Sequence, residues 1–274
     1  MRADTLLVGG GRLGADVGLR LVAAGHEVAA IRRRAELVPK PLQAIAADLT
    51  RERPTLPPLD LDLLVIALTA RPRTEEAYRA TYVDGMARAL DAIDAAGHRP
   101  RRAVLVSSTA ALRAHQDRAH QDRAHQDRAH QDGPAQMLLA AEELFSARVA
   151  ETTVLRLSGL YDGTSTRLVD QVRSGEVTDP HRWTNRIHRD DAAAAVVHLL
   201  TRTEPPDQMY VGTDDEPAQL GDVAAFLASR LGAAPPPPAD PSLGHGTRLS
   251  NAELRATGWV PQYRSYRDGY ADPV

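Results

Sequence analysis

The sequence has no cysteine and a single lysine, Lys40, so arginine carries nearly all of its positive charge. Without thiols there can be no disulfide, no thiolate metal site and no cysteine nucleophile. Aromatic residues make up only 4% of the chain, and no tyrosine lies between Tyr82 and Tyr161. No apolar run approaches the roughly 20 residues of a membrane span. A net charge of −3 leaves no basic surplus for nucleic acid as the main partner. Met1-Arg2-Ala3-Asp4 leads directly into a strand pattern, with no signal-peptide character before it. These absences point to a cytoplasmic, soluble protein that acts on a small molecule, with no nucleic-acid or membrane partner and no metal. At 274 residues and 43% hydrophobic, the chain can bury one large α/β domain with a smaller annex.

What is present is organised around Leu6-Leu7-Val8-Gly9-Gly10-Gly11-Arg12-Leu13-Gly14. An apolar strand runs into Gly9, Gly11 and Gly14, spaced G-x-G-x-x-G, and a helical pattern follows with Leu13, Val17, Leu21 and Val22 on one face. In such a turn the first glycine permits the tight bend, the second lets backbone approach a pyrophosphate, and the third lets helix pack on strand. The helix start supplies free N–H groups and the positive dipole end. The candidate nucleotide contacts here are Gly9, Gly11, Arg12, Leu13 and Gly14.

A second strand, His26 to Ile31, ends in Arg32-Arg33-Arg34. An acid at this strand end would hold the 2′-hydroxyl of NAD, whereas arginine suits the 2′-phosphate of NADP. Arg32 and Arg33 therefore favour NADP, with NAD the alternative. Gln43 to Ala47 reads as a third strand. Asp48 and Leu49 follow it, and the Asp48 carboxylate either meets the adenine or caps the next turn. Leu61 to Leu68 is a buried central strand, with Ala67 at its carboxyl end as a further cofactor contact. Thr74 to Ala96 reads as one long helix carrying Tyr78, Tyr82, Met86, Leu90 and Ile93 as core or dimer face. A fifth strand, Ala103 to Val106, delivers Ser107, Ser108 and Thr109 to the sheet's carboxyl edge, where ligands bind in open α/β folds. Ser107 is a candidate cofactor contact. Ala135 to Arg148 is a helix and Thr152 to Leu157 a sixth strand. Gly159 to Gly163 is a turn, and Thr184 to Asp191 precedes an alanine-rich helix. A further helix runs from about Asp222 to Leu231, and Pro235 to Pro238 forms a stiff linker.

Residues 113–132 are four tandem copies of Arg-Ala-His-Gln-Asp. A period of five fits neither helix nor strand, so the four histidines share no stripe. With no large apolar side chain, the repeat reads as a mobile or weakly helical surface insertion.

Taken in order, Gly9 to Gly14, Ser107-Ser108-Thr109, Arg156 to Tyr161, Asn185 to Asp191 and Asn251 to Pro261 make the chain resemble the extended short-chain dehydrogenase/reductase superfamily. The likeness is greatest to its atypical NAD-dependent epimerase/dehydratase-like members. The resemblance implies a doubly wound parallel Rossmann sheet of six or seven strands, with residues 1–158 as the NAD(P)-binding domain. Residues 159–274 would form a smaller, partly interleaved substrate subdomain. It also implies homodimers through the helices near 74–96 and 135–148. The family's chemistry uses a Ser/Thr with a Tyr-x-x-x-Lys pair. Ser108 matches the Ser/Thr, with Thr109 beside it. The pair is missing: Pro134 stands at the tyrosine position and Leu138 at the lysine position, and the residue four before Lys40 is Glu36.

Three functions compete. One is an NAD(P)-dependent oxidoreductase of non-standard mechanism, its acid/base group drawn from Tyr161, His188 or Asp190, or from a repeat histidine such as His115 or His130. For Tyr161 the rival role is packing, and for His188 and Asp190 it is helix capping. The second is a non-catalytic NADP(H) sensor or scaffold. The third is a non-redox lyase or cyclase reusing the pocket.

Overall fold

The computed structural model describes residues 3–112, 133–164 and 166–271. The repeat at 113–132 lies outside the described residues. The chain divides into two units. The first comprises 1–156 and 193–210, the second 157–192 and 211–274.

The first unit is built on a seven-stranded parallel sheet with helices packed on it. Its strands are β1 (Thr5–Val8), β2 (Val28–Arg32), β3 (Gln43–Ala46), β4 (Leu63–Ile66), β5 (Arg102–Ser108), β6 (Thr152–Leu157) and a last strand, Met209–Gly212, at the far edge. Their order is Met209–Gly212, β6, β5, β4, β1, β2, β3. Thr5 of β1 stands opposite Val28 on one side and Leu63 on the other. All four residues of β1 and of β4 are buried. This is why both read as near-continuous apolar runs: helices cover the two faces of a parallel sheet. From β1 the strand order runs outward one way through β2 and β3 and the other way from β4, which places the topological switch point at the carboxyl ends of β1 and β4.

Helix α1 (Arg12–Ala23) packs with a face turned from the one its large apolar residues mark. Gly14, Val17, Gly18 and Leu21 are buried, whereas Leu13 and Val22 are half-buried. Glycine sets the contact here. A Cβ at Gly18 would lie 2.4 Å from Leu42 Cδ2 and 2.7 Å from Leu7 Cδ1.

The helical stretch after β4 is not continuous. A short helix, α2 (Glu75–Tyr78), passes through a six-residue π-helical segment, Arg79–Asp84, into α3 (Gly85–Ala95). Met86, Leu90 and Ile93 are in the core as expected. Tyr78 and Tyr82 lie with ring centroids 5.1 Å apart. They pack against Ala111, Ala135, Leu138 and Leu139. Leu138 belongs to α4 (Gly133–Arg148).

In the second unit, Gly159 to Tyr161 forms a short strand rather than a turn. It pairs in parallel with Arg186–His188, Tyr161 opposite His188. Three residues are too few for alternation to show in the sequence. This unit has its own core, in which Tyr161, Val169, Val172, Val223, Leu227, Tyr266 and Tyr270 pack together.

A buried ion pair ties α4 to the sheet of the first unit. Arg156 on β6 reaches Glu142 through Nη2–Oε2 at 2.5 Å and Nε–Oε1 at 3.0 Å. The Ser107 hydroxyl donates to Glu142 Oε1 at 2.5 Å. All three residues are buried. Removing one partner strands the other charge away from water, at a cost of about 3–5 kcal/mol. Glu142→Ala should therefore lower the unfolding free energy by about that amount. Ser107→Ala removes one hydrogen bond to a charged group and should cost about 1.5–3 kcal/mol. Chemical denaturation of the two variants measures the difference.

Candidate functional site

The carboxyl ends of β1 and β4 meet at the glycine turn, and its three motif glycines divide by what surrounds them. Gly9 has φ +109°, and a Cβ there would lie 2.3 Å from the Ala67 carbonyl oxygen. A Cβ at Gly14 would lie 2.1 Å from the Gly9 carbonyl oxygen. Both are required by the protein's own packing. At Gly11, by contrast, a Cβ would meet nothing within 4 Å among the described residues. Among them, open space thus lies beside the backbone at the N-cap of α1. No described side chain caps that helix, and no acidic residue occupies its first turn. The α1 start therefore has the form of an anion cradle, backbone N–H groups at the positive end of a helix dipole. The residues fit a dinucleotide diphosphate, which Gly11 admits and the N-terminus of α1 would hold.

Other predicted contacts sort differently. Arg32 is half-buried, and its Nη1 donates to the Leu37 carbonyl at 2.6 Å, which pins the guanidinium at the end of β2. Arg33 is exposed beside it. Asp48 acts as a turn cap: its Oδ1 accepts from Thr50 N–H at 3.1 Å and Thr50 Oγ1 at 2.7 Å. The Thr50 hydroxyl holds its carboxyl below the usual range, with burial opposing. Leu49 lies in the hydrophobic core, and its carbonyl accepts from Arg88. Arg12 is exposed, Leu13 half-buried.

At the end of β5, two adjacent serines have different tasks. The Ser107 proton goes to Glu142. Ser108 Oγ accepts the Ala110 N–H at 3.2 Å, which leaves its own proton to donate. Ser108 and Thr109 are both half-buried. Leu138, which the sequence resemblance sets at the lysine position, is 3% exposed and sits among apolar neighbours. Glu142, the acid that orders this strand end, was missed from sequence. Its position four residues beyond Leu138 on the same helical face was the available signal.

In the second unit, the residues proposed for acid/base work have structural tasks. The Tyr161 hydroxyl donates to the Ser265 carbonyl at 3.2 Å. Its pKa is pushed far up, chiefly by burial and then by Asp214. A phenol so placed is a poor source of tyrosinate. His188 Nδ1 accepts the Asp190 N–H at 3.3 Å, so His188 caps helix Arg189–Thr201. Its ring lies 3.7 Å from that of Tyr263, centroid to centroid. Burial lowers the His188 pKa, with Asp190 opposing. Asp191 accepts backbone N–H groups of Gln262 and Tyr263 at 2.7 and 2.9 Å. No group of acidic and histidine side chains that could hold a metal occurs among the described residues. No helix among them is long and apolar enough to cross a membrane.

A family model described as NAD(P)H-binding matches residues 9–203. The chain belongs to this NAD(P)H-binding family and, within it, to the extended short-chain dehydrogenase/reductase-like proteins. A structure from Methylobacillus flagellatus, described as an NAD-dependent epimerase/dehydratase, is 31% identical with a TM-score of 0.76, covering 99% of this chain and 97% of its own. UDP-glucose 4-epimerase of Thermus thermophilus, in complex with NAD, is 19% identical with a TM-score of 0.68, covering 97% and 96%. The Bordetella bronchiseptica enzyme WbmG, in complex with NAD and UDP, is 16% identical with a TM-score of 0.71, covering 99% and 92%. No curated protein sequence matches the chain.

Asp214 has a measurable signature. Burial raises its pKa to about 7 from the usual 3.8, while the Glu216 N–H and then Arg186 oppose. The folded state thus holds a proton that the unfolded state releases. This group's stabilising contribution is complete below the unfolded pKa and is lost as pH rises through the folded one. In Asp214→Asn that loss is absent. The stability of the variant relative to wild type should rise between about pH 4 and 7 and level off above, as read by denaturant midpoints.

Proposed function

We propose that the chain is an NADP(H)-preferring oxidoreductase of the epimerase/dehydratase-like kind that works without the Tyr-x-x-x-Lys pair. The open space beside Gly11 carries this reading, since the two other motif glycines are accounted for by packing alone. Gly9, Gly11 and Gly14 with the α1 N-terminus would hold the diphosphate, Arg32 and Arg33 the 2′-phosphate, and Ala67 would line the crevice. The bound nicotinamide cofactor supplies or accepts the electrons. Ser108 donates a hydrogen bond to the reacting oxygen, with Thr109 beside it. The protein acts on a small molecule in the cytoplasm, as a homodimer through the helices near 74–96 and 135–148.

A second reading has its own support. Leu138 packed among apolar side chains suits an NADP(H)-binding sensor that has given up turnover. Incubation with NADPH and a panel of carbonyl compounds separates the two. Cofactor oxidation supports the enzyme, and tight binding without turnover supports the sensor.

Two variants test cofactor binding. Gly11→Val should fold with an unchanged melting profile yet lose NADPH binding by at least about a hundredfold, because the new side chain occupies the cradle. Unchanged affinity in fluorescence titration would count against the cradle. The double variant Arg32→Ala, Arg33→Ala should weaken NADPH by about tenfold or more and leave NADH nearly unaffected. Equal weakening of both cofactors would refute the 2′-phosphate assignment.

A further inference from the structure

The π-helical segment Arg79–Asp84 between α2 and α3 carries Tyr82. A π turn set inside an α-helix gives up regular backbone bonding and recurs at functional positions. Here it sits beside the cofactor crevice of the first unit. Tyr82 is half-buried, and with Ala110 it packs against Ala111, Leu138 and Leu139. Its hydroxyl oxygen takes the backbone N–H of Ala70. Ala70 lies just past β4 and Ala110 just past β5, and these two strands are paired neighbours. Tyr82 therefore stands at the carboxyl edge of the sheet, between the ends of β4 and β5. Ala67 and Ser108 occupy the same two strand ends.

The tyrosines of the first unit differ in what holds them. Tyr210, on the far edge strand, accepts the Asp207 N–H at 2.9 Å. The Tyr78 hydroxyl has no hydrogen bond among the described residues to fix it. Tyr82 is anchored through its oxygen by Ala70, and no acceptor for its own proton occurs among the described residues. Ser108 is in the same state, its oxygen holding the Ala110 N–H at 3.2 Å and its proton uncommitted. Burial raises the Tyr82 pKa, with the Ala70 N–H opposing, so the phenol keeps its proton at neutral pH. Tyr78 and Arg73 are the other titratable groups that act on it. A carbonyl oxygen that gains negative charge is best met by donors fixed beforehand, and this strand edge offers two.

We propose that the Tyr82 hydroxyl is a catalytic donor at the nicotinamide end of the crevice, sharing the substrate oxygen with Ser108. This rests on the redox reading under Proposed function. It puts the second donor on the helical stretch after β4, and the hydroxyl acts in its protonated form, with no ammonium beside it.

Fluorine NMR of protein grown on 3-fluorotyrosine tests this, with Tyr82→Phe assigning the Tyr82 signal while keeping the ring. NADP⁺ should move that signal and make it titrate at a lower pH than NADPH does, because the oxidised ring is positively charged and the reduced ring is not. The Tyr210 signal should stay in place. In any carbonyl reduction the chain performs, Tyr82→Phe should lower kcat by about a hundredfold or more with KM little changed. A tyrosine that only packs would leave both readouts untouched. If NADPH binds, as followed by its own fluorescence, and the Tyr82 signal does not move, the proposal is overturned and the redox reading stands. An equal response to the two cofactors, or an unchanged kcat in Tyr82→Phe, overturns it likewise. Absence of NADPH binding overturns both.

Discussion

Backbone meeting backbone at the switch point is the constraint on which the first unit depends. The Ala67 carbonyl stands so close to Gly9, and the Gly9 carbonyl so close to Gly14, that no side chain fits at either glycine. This approach lets α1 start directly behind β1, with its uncapped N–H groups opening at the gap between β1 and β4. Parallel strands place the carboxyl ends of β4 and β5 along the same sheet edge. The cradle is thus a consequence of packing, present before any ligand arrives, and little ordering entropy remains to oppose binding.

A second fixed point lies where β5 and β6 meet α4. Glu142, Arg156 and Ser107 form a closed polar set inside an otherwise apolar layer. Such a set is costly unless its members are satisfied, and here both Glu142 oxygens accept from Arg156 while Oε1 also takes the Ser107 proton. Its effect on the strand end is chemical. With the Ser107 proton committed inward, Ser108 is the hydroxyl whose proton remains to donate. On the same helix, Pro134 and Leu138 stand where the sequence resemblance sets the tyrosine and lysine, and Leu138 is buried among aliphatic and aromatic neighbours.

The central strands β1 and β4 were legible in the sequence because they are buried on both faces and read as apolar runs, and the glycine turn because its spacing follows from sterics; the edge strand Met209–Gly212, only partly buried, was not read. Other features depend on contacts that no local pattern encodes. The π-helical segment at Arg79–Asp84 interrupts a periodicity that looks continuous. The strand Gly159–Tyr161 is defined by a partner 27 residues away. Glu142 and Ser107 lie 35 residues apart. The buried face of α1 joins Gly14 and Gly18 to Val17 and Leu21, and the close approach at Gly18 is what the apolar pattern alone does not mark. Asp214 was passed over because its distinction is burial, which its neighbours in the chain do not reveal.

The distribution of acid/base groups separates binding from turnover. Catalysis of proton transfer needs a group whose pKa lies near the working pH and whose proton is not already committed. Tyr161 fails on both counts, held to the Ser265 carbonyl with its ionisation suppressed by burial. His188 uses Nδ1 as a helix cap, and burial lowers its pKa. Ser108 is free to donate a hydrogen bond, but a serine hydroxyl without a base polarises an oxygen and does not protonate it. Among the described residues, then, the acid/base candidates of the second unit are committed to structural bonds, whereas Ser108 at the end of β5 keeps a proton to donate.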